Sequence, residues 1–425
     1  MPASTLYGLD IEVALGLARQ ADWATWGAGE WGVNTWGDAD TELGDWVDVT
    51  CEVEDGLQLQ AGIDTVDGIV TRWEAATCVF TLLGADWDPW NGPYYGYVGP
   101  QLPVRVRWRD SVGPGEWQPA FEGTVDDGGW DWQPAPPGGL NRTWVLASDY
   151  TADLANWTAP ELPPAGDHET ASARVTRILD LASWPTSRRA VTTGGTTLSF
   201  TTMGQAAWEM LLQVADTDLG LLWVRRDGYL VYIPRGRVSA GTALTGRLVV
   251  CVEGDDDIQV VDMGRPQPGV IRNTVAISRF SRGSGDTPVI VTRRDDASIA
   301  RFRSHGYTRT DLLHDTDAWS TSVADATLGS GSWPSPAPAH VVLSSELGDV
   351  RVGPLLLSLE PDQFFDVVDT AGSVWSESVL GWDVLVRFET ITGTLSLGDI
   401  TPWVASAHWG SAIWGRDRWA TTGGS

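Results

Sequence analysis

The sequence predicts a mainly β protein: two β-barrel-like domains, a helix-strand-helix-hairpin (α+β) domain between them, and a helical insert in the second β region. Three observations predict it. Residues 46–158 carry short segments of alternating apolar and polar residues bounded by Gly, Pro or Asp, the signature of half-buried strands joined by tight turns. Residues 159–240 change the apolar period from two to about 3.6, that of a helix. Residues 241–400 return to strand patterning, with an insert over residues 297–338. Trp-rich arms, residues 1–45 and 401–425, flank these three parts.

In the first β domain the segments WVDVTCEV, TCVFTLL, PVRVRW, AFEGTV and TWVLASDY each alternate. Cys78, Phe80 and Leu82 share one face of their strand, and Val104, Val106 and Trp108 share one face of theirs. Between those two strands, Pro89, Gly92, Pro93, Gly96, Gly99, Pro100 and Pro103 exclude a regular element. Trp87, Trp90, Tyr94, Tyr95 and Tyr97 supply that corner with apolar packing of its own. Trp87, Asp88, Pro89, Trp90, Pro93, Tyr94, Tyr95 and Gly96 are therefore the candidate structural corner.

After a Pro-rich break over residues 159–166, Val175, Ile178, Leu179 and Ala182 fall on one helical face, predicting a helix over residues 170–183 that stops before Pro185. Thr202 followed by Gln205 predicts a capping box opening a second helix, with Ala207, Met210, Leu211 and Val214 as its buried stripe. LLWVRRDGYLVYI reads as a hairpin turning at Asp227 and Gly228, a dipeptide that accepts positive φ angles. Farther on, GRLVVCVEG, RNTVAISRF, TPVIVTRR, HVVLSSE, VGPLLLSLE and WDVLVRFETI read as strands of the second β domain, and a helix is expected over residues 311–328.

Composition narrows the function. The 425 residues exceed one ordinary core, so two to four domains are expected. The formal charge is -28, and all 28 basic residues are Arg. Such a chain repels nucleic acid and anionic membranes, which argues against a phosphate-binding function. Cys51, Cys78 and Cys251 are widely spaced and signal neither a disulfide framework nor a zinc site. No leader and no bilayer-spanning apolar run is recognisable, so synthesis in a cytoplasm as a soluble chain is expected.

Candidate chemistry is sparse, and no catalytic, cofactor or metal residue is assigned. Asp86, Asp88 and Asn91 resemble the start of a calcium loop, but Trp90 stands at a ligand position and no bidentate Glu follows, so backbone capping is the better reading. Asp255, Asp256 and Asp257 read as a solvated acidic loop rather than a cation site. His168, His305, His314, His340 and His408 show no ligand spacing, and no nucleophile elbow, phosphate loop or catalytic-cysteine signature occurs.

The order of parts in the first β domain resembles the first barrel of siphophage minor tail proteins of the baseplate-hub, or tail-tip hub, family, of the actinobacteriophage type. The parts are a strand ending in Leu82 and Leu83, Asp88-Pro89, Pro93-Tyr94-Tyr95-Gly96, a Val- and Arg-rich strand, and Phe121-Glu122-Gly123-Thr124-Val125-Asp126. The family's Asp-Asn-Arg before the Asp-Pro is replaced by Gly84, Ala85 and Asp86. A second segment, with Gly220, Arg226-Asp227-Gly228 and Pro234-Arg235, is similar to the same family in the expected order.

The resemblance implies a structural virion protein rather than an enzyme: a homotrimeric hub of two tube domains per chain that closes the tail tube, adapts six-fold to three-fold symmetry and lets DNA pass without specific binding. It implies as partners the distal tail or tail-tube ring protein, the tape-measure protein, and other minor tail, fibre or receptor-binding proteins. The implied location is the virion tail tip. Some hub relatives carry a peptidase or lysozyme domain after the second barrel, and none is expected here, where the Trp repeat and a Gly-Gly-Ser tail follow Asp399. The alternative is a carbohydrate-binding or glycoside-hydrolysing β protein, motivated by 25 Trp residues and many carboxylates.

The arms repeat a five-residue step, Trp26, Trp31, Trp36 and Trp409, Trp414, Trp419, with Gly after all but the last. They are either packed on their own domains or possible docking arms for neighbouring proteins.

Overall fold

The computed structural model describes residues 5–6, 9–17, 46–64, 72–111, 115–137, 139–160, 166–201, 204–235, 245–250, 257–264, 271–279, 289–334, 337–387 and 389–399. Its centre is one sixteen-stranded sheet shared by both β regions. The main path runs Thr5–Leu6, Leu9–Gly16, Pro103–Asp110, Gln118–Gln133, Arg142–Asp149, Thr77–Leu83, Val53–Asp64, Val374–Val386, Phe364–Val368, Gly246–Val249, Asp257–Gln259. Ile391–Asp399, His340–Ser344 and Asp262–Met263 branch from Val374–Val386, while Trp46–Asp48 and Arg72–Trp73 flank the first half.

The strands expected at residues 77–83 and 103–108 form where the alternation places them, with Cys78, Phe80, Leu82, Val104 and Val106 buried. The strand through AFEGTV is longer than its pattern, reaching Gln133 past an irregularity between Val125 and Trp130. Leu9–Gly16, which lies in the segment expected to be an arm, belongs to this sheet and buries Leu9, Ile11, Val13 and Leu15.

The expected pair of barrels is corrected: no closed barrel forms among the described residues. A strand has two hydrogen-bonding edges. Val53–Asp64 uses one edge on Thr77–Leu83 and most of the other on Val374–Val386, from Leu57 opposite Val386 to Gly62 opposite Gly381. It therefore does not pair with Leu9–Gly16, and Thr50–Glu52, a single 3₁₀ turn, bridges that gap. There Val13 N–H donates to Thr50 Oγ1 at 2.8 Å, and Val49 N–H donates to Val13 O at 2.9 Å. At the fusion seam Gly56 takes φ +106°, and a Cβ on it would lie 1.9 Å from Val386 O. No side chain fits there.

The helix expected at residues 170–183 is Ala171–Leu181, capped by the Thr170 side chain. The second helix, Ala207–Asp218, starts after its expected capping box; Thr202 lies outside the described residues, and the N-cap Ala206 is extended and bridged to Thr158. Ala207, Met210, Leu211 and Val214 are buried as the stripe requires. Leu221–Val224 and Leu230–Ile233 form the hairpin, with Arg189–Val191 added in parallel.

Three strands, Thr274–Ser278, Ile290–Arg294 and Gly306–Arg309, form a separate sheet rather than part of the second barrel. With helix Asp317–Gly331 they enclose a small core of Val275, Ile277, Leu312, Val323 and Ala324, joined by Leu219. This helix begins six residues later than expected because Leu312 and Leu313 are buried ahead of it and Thr316 supplies its cap. VGPLLLSLE, expected as a strand, contains helix Val352–Leu357. Pro354 lies in its first turn, where its missing N–H is no loss, and Leu356 and Leu357 are buried.

Candidate functional site

The corner between Thr77–Leu83 and Pro103–Asp110 has a buried side and an exposed side. Trp87 is 1% exposed, stacks on Tyr94 with ring centroids 5.0 Å apart, and meets Trp130 edge-on at 6.3 Å. Its indole N–H donates to Glu52 Oε2 at 2.5 Å, tying the corner to the 3₁₀ turn. Asp88 Oδ1 accepts from Trp90 N–H at 2.8 Å and Asn91 N–H at 3.1 Å, while Oδ2 accepts from Asn91 Nδ2. Burial works against the Asp88 charge, but those bonds outweigh it and hold the carboxyl below the usual range. Asp88 thus caps backbone groups.

Trp90 is 66% exposed and Tyr95 63% exposed, with Trp90 leaning edge-on against Trp132. Pro93 and Gly96 are exposed and Pro89 is half-buried. The corner therefore packs Trp87, Tyr94 and Tyr97 against the core and turns Trp90 and Tyr95 outward.

At the hairpin turn Gly228 has φ +77°, and its N–H donates to Arg225 O at 2.8 Å. Asp227 pairs with Arg225 and accepts at Oδ1 from Tyr229 N–H. The turn orients Arg226, which the sequence reading named only as part of a motif, into the interior. Its guanidinium donates to Leu359 O at 2.8 Å, Ala120 O at 3.0 Å and Leu356 O at 3.2 Å, and lies 4.6 Å from the Trp382 ring centroid. Ala120 belongs to the first β region, Arg226 to the hairpin, and Leu356, Leu359 and Trp382 to the second β region. One buried side chain therefore joins three parts of the chain.

Glu360 completes this node by accepting from Trp223 Nε1 at 2.8 Å and from Arg226 N–H at 3.3 Å. Burial pushes its carboxyl up to about 7, opposed by Arg226 and the Trp223 bond. Burial likewise brings Arg226 down to about 10, with Glu360 opposing. Beside the node a small cleft, with a cavity volume of about 20 Å³, is lined by Trp73, Trp223, Trp382, Glu122 and Asp149, among others. Burial raises Asp149 to about 7, against bonds its oxygens accept from Ala76 N–H and Thr151 N–H.

Shifted carboxyls beside a cleft are the pattern that draws attention in a search for acid–base chemistry. Here each is bonded to backbone or indole N–H groups of its own wall, an arrangement that fixes the wall. His314 is buried between Ser320 Oγ and Thr217 O, and burial lowers it to about 4. Among the described residues no group of three or more His, Cys, Asp or Glu could hold a metal ion. Asp257 pairs with Arg247, while Asp255 and Asp256 lie outside the described residues. So do Trp26, Trp31, Trp36, Trp409, Trp414 and Trp419. No described helix is long and apolar enough to cross a membrane.

No protein-family model matches the sequence, and no curated protein matches it. Among solved structures, the fold is similar to that of a tail protein from Neisseria meningitidis MC58, with a TM-score of 0.56 and 12% identity over 93% of this chain and 98% of that one. It is also similar to the 43 kDa tail protein of prophage MuSo2 from Shewanella oneidensis, with a TM-score of 0.54 and 13% identity over 92% of this chain and 99% of that one. At such identities the likeness is one of fold, and it extends over nearly the whole of each chain.

Proposed function

We propose that this chain is a structural phage tail protein, and that it forms the homotrimeric tail-tip or baseplate hub of a siphophage virion. The observation that carries this reading is the end-to-end fold likeness to two tail proteins, at least 92% of every chain compared. The sequence motifs around Asp88-Pro89 and Arg226-Asp227-Gly228 support the same reading independently. In it, the protein closes the tail tube, adapts six-fold to three-fold symmetry and passes DNA during ejection. Its partners are the distal tail or tail-tube ring protein, the tape-measure protein, and other minor tail, fibre or receptor-binding proteins.

The physical task is assembly, and the fold suits it. A continuous sheet through both β regions, locked by the Arg226 node, keeps distant surfaces in fixed relation, as a symmetry adaptor requires. The charge of -28 favours passage of DNA without retention. Light scattering of the purified chain over a range of concentrations tests the proposal. A particle near three times 45.9 kDa is the expected result, and a monomer at every concentration would count against the trimer.

A further inference from the structure

Most arginines among the described residues bond a carboxylate, but Arg301 and Arg303 bond none there, and both are exposed. They close the short helix Asp296–Phe302, which follows strand Ile290–Arg294 of the insert sheet. Arg301 lies 5.5 Å from the Phe302 ring centroid, and Phe302 meets Trp333 edge-on at 5.5 Å, with Trp333 45% exposed. The carboxylates of this unit are engaged elsewhere. Asp295 accepts from Ser298 N–H and Trp333 Nε1, and Asp296 faces Arg294 at 3.7 Å. Asp311, Asp315, Asp317 and Asp325 pair with Arg309, His168, Arg279 and Arg293 in turn. Arg301 and Arg303 are therefore surplus positive charge beside aromatic surface, in a chain of formal charge -28.

The corner of the first β region has the opposite sign. Asp86, Asp127 and Asp131 are exposed there beside the outward rings of Trp90 and Tyr95, and none of the three forms an ion pair among the described residues. The neighbouring arginines are held by other carboxylates, Arg105 by Glu12 with Glu122 close by, and Arg142 by Glu54. Strand Thr77–Leu83 runs about 20 Å to this corner from the end where Trp208 Nε1 donates to Trp73 O at 3.2 Å. The insert is held on the last turns of Ala207–Asp218, by Arg309 to Asp216 at 2.9 Å and by Gln213 Nε2 donating to Asp311 O at 2.7 Å. Both patches are exposed, so neither covers the other within one chain. We infer that they meet between chains: the Arg301 and Arg303 patch of one copy receives the acidic, aromatic corner of the next. A three-fold ring uses two unlike patches on every chain, one toward each neighbour. Copies that each carry -28 also associate only where opposite charges face one another. The corner offers carboxylates for the guanidinium groups to pair with and exposed rings for them to stack on. This inference rests on the trimer reading and names the surfaces through which its copies meet.

The test is a charge exchange on the full chain, with trimer dissociation read by light scattering over a range of concentrations. R301E/R303E reverses one patch and D86R/D131R the other. Each is expected to weaken the trimer about tenfold, and the quadruple variant, in which the signs are exchanged, is expected to recover most of that loss. Wild-type affinity in either double variant, or no recovery in the quadruple variant, would overturn the inference and leave the trimer standing. A wild-type chain that stays monomeric at every concentration would overturn the trimer reading and this inference together. The two pairs lie in separate parts of the chain, so a fold defect in one, seen in its melting temperature, leaves the other to decide. Recovery in the quadruple variant separates lost complementarity from lost folding.

Discussion

The Arg226 guanidinium lies 4.6 Å from the Trp382 ring, sealed between the hairpin and the fused sheet. It donates to carbonyls of Ala120, Leu356 and Leu359, so its removal strands three buried acceptors and takes a favourable positive charge away from Glu360. Arg226→Met keeps most of the volume and removes the charge. The expected cost is at least about 3 kcal/mol, since each of three buried acceptors left unsatisfied costs about 1–3 kcal/mol. Urea unfolding of the two proteins measures it, and a loss below about 1 kcal/mol would show that the three parts hold together without this node.

Glu360 gives the node a pH dependence. Its folded pKa is raised from 4.5 to about 7, so between those values the folded state binds more protons than the unfolded state. Stability from this group is therefore fully present below about pH 4.5 and is lost as pH rises through 7. Asp149, raised from 3.8 to about 7, acts in the same direction. Glu360→Gln keeps one acceptor oxygen, enough for the shorter Trp223 bond, and does not titrate. Wild type is expected to lose more stability between pH 5 and pH 8 than the variant does. Equal losses in urea titrations at the two pH values would exclude Glu360 as a source of the dependence.

The corner separates a folding role from a surface role within ten residues. Trp87→Ala removes a fully buried indole, its stack with Tyr94 and its bond to Glu52, with an expected cost of about 3–5 kcal/mol. Tyr94→Ala, on the half-buried partner, is expected to cost about 1–2 kcal/mol. Trp90→Ala removes a ring that is two-thirds exposed and is expected to change stability by less than about 1 kcal/mol. If the outward aromatics serve assembly, Trp90→Ala lowers particle incorporation at unchanged melting temperature. Thermal melts together with virion incorporation separate the two roles.

Much of this division was legible in the sequence, and the reasons differ by element. Thr77–Leu83 and Pro103–Asp110 follow from alternation because each buries a single face. Leu9–Gly16 alternates equally well in Leu9, Ile11, Val13 and Leu15, a signal that could have placed it in the sheet despite the Trp-rich stretch beside it. The aromatic content of the corner was readable, but which rings turn inward depends on Glu52 and Trp130, distant in sequence. The pairing of Val53–Asp64 with Val374–Val386 left no local trace, since an edge's choice of partner is decided by the whole sheet. Arg226 was hidden for a related reason: Arg-Asp-Gly predicts a turn, whereas the three carbonyls that capture the side chain come from residues over 100 positions away in sequence.

The turn itself offers a last test, because Gly228 is constrained twice. Its φ of +77° is one that L side chains rarely adopt, and a Cβ there would lie 2.9 Å from Tyr150 Cε2 and 3.0 Å from Arg188 Nη1. Those neighbours are not free to move: Tyr150 OH donates to Glu122 Oε1 at 3.0 Å, and Arg188 pairs with the same oxygen at 3.1 Å. Gly228→Ala therefore combines backbone strain with displacement of a bonded pair and is expected to cost about 2–3 kcal/mol. Because Arg226 is two residues away, the strain should also loosen the central node. Hydrogen exchange reads this directly: faster exchange at Arg226 N–H and across Leu230–Ile233 is expected in the variant, and unchanged protection there would show that the turn and the node are mechanically separate.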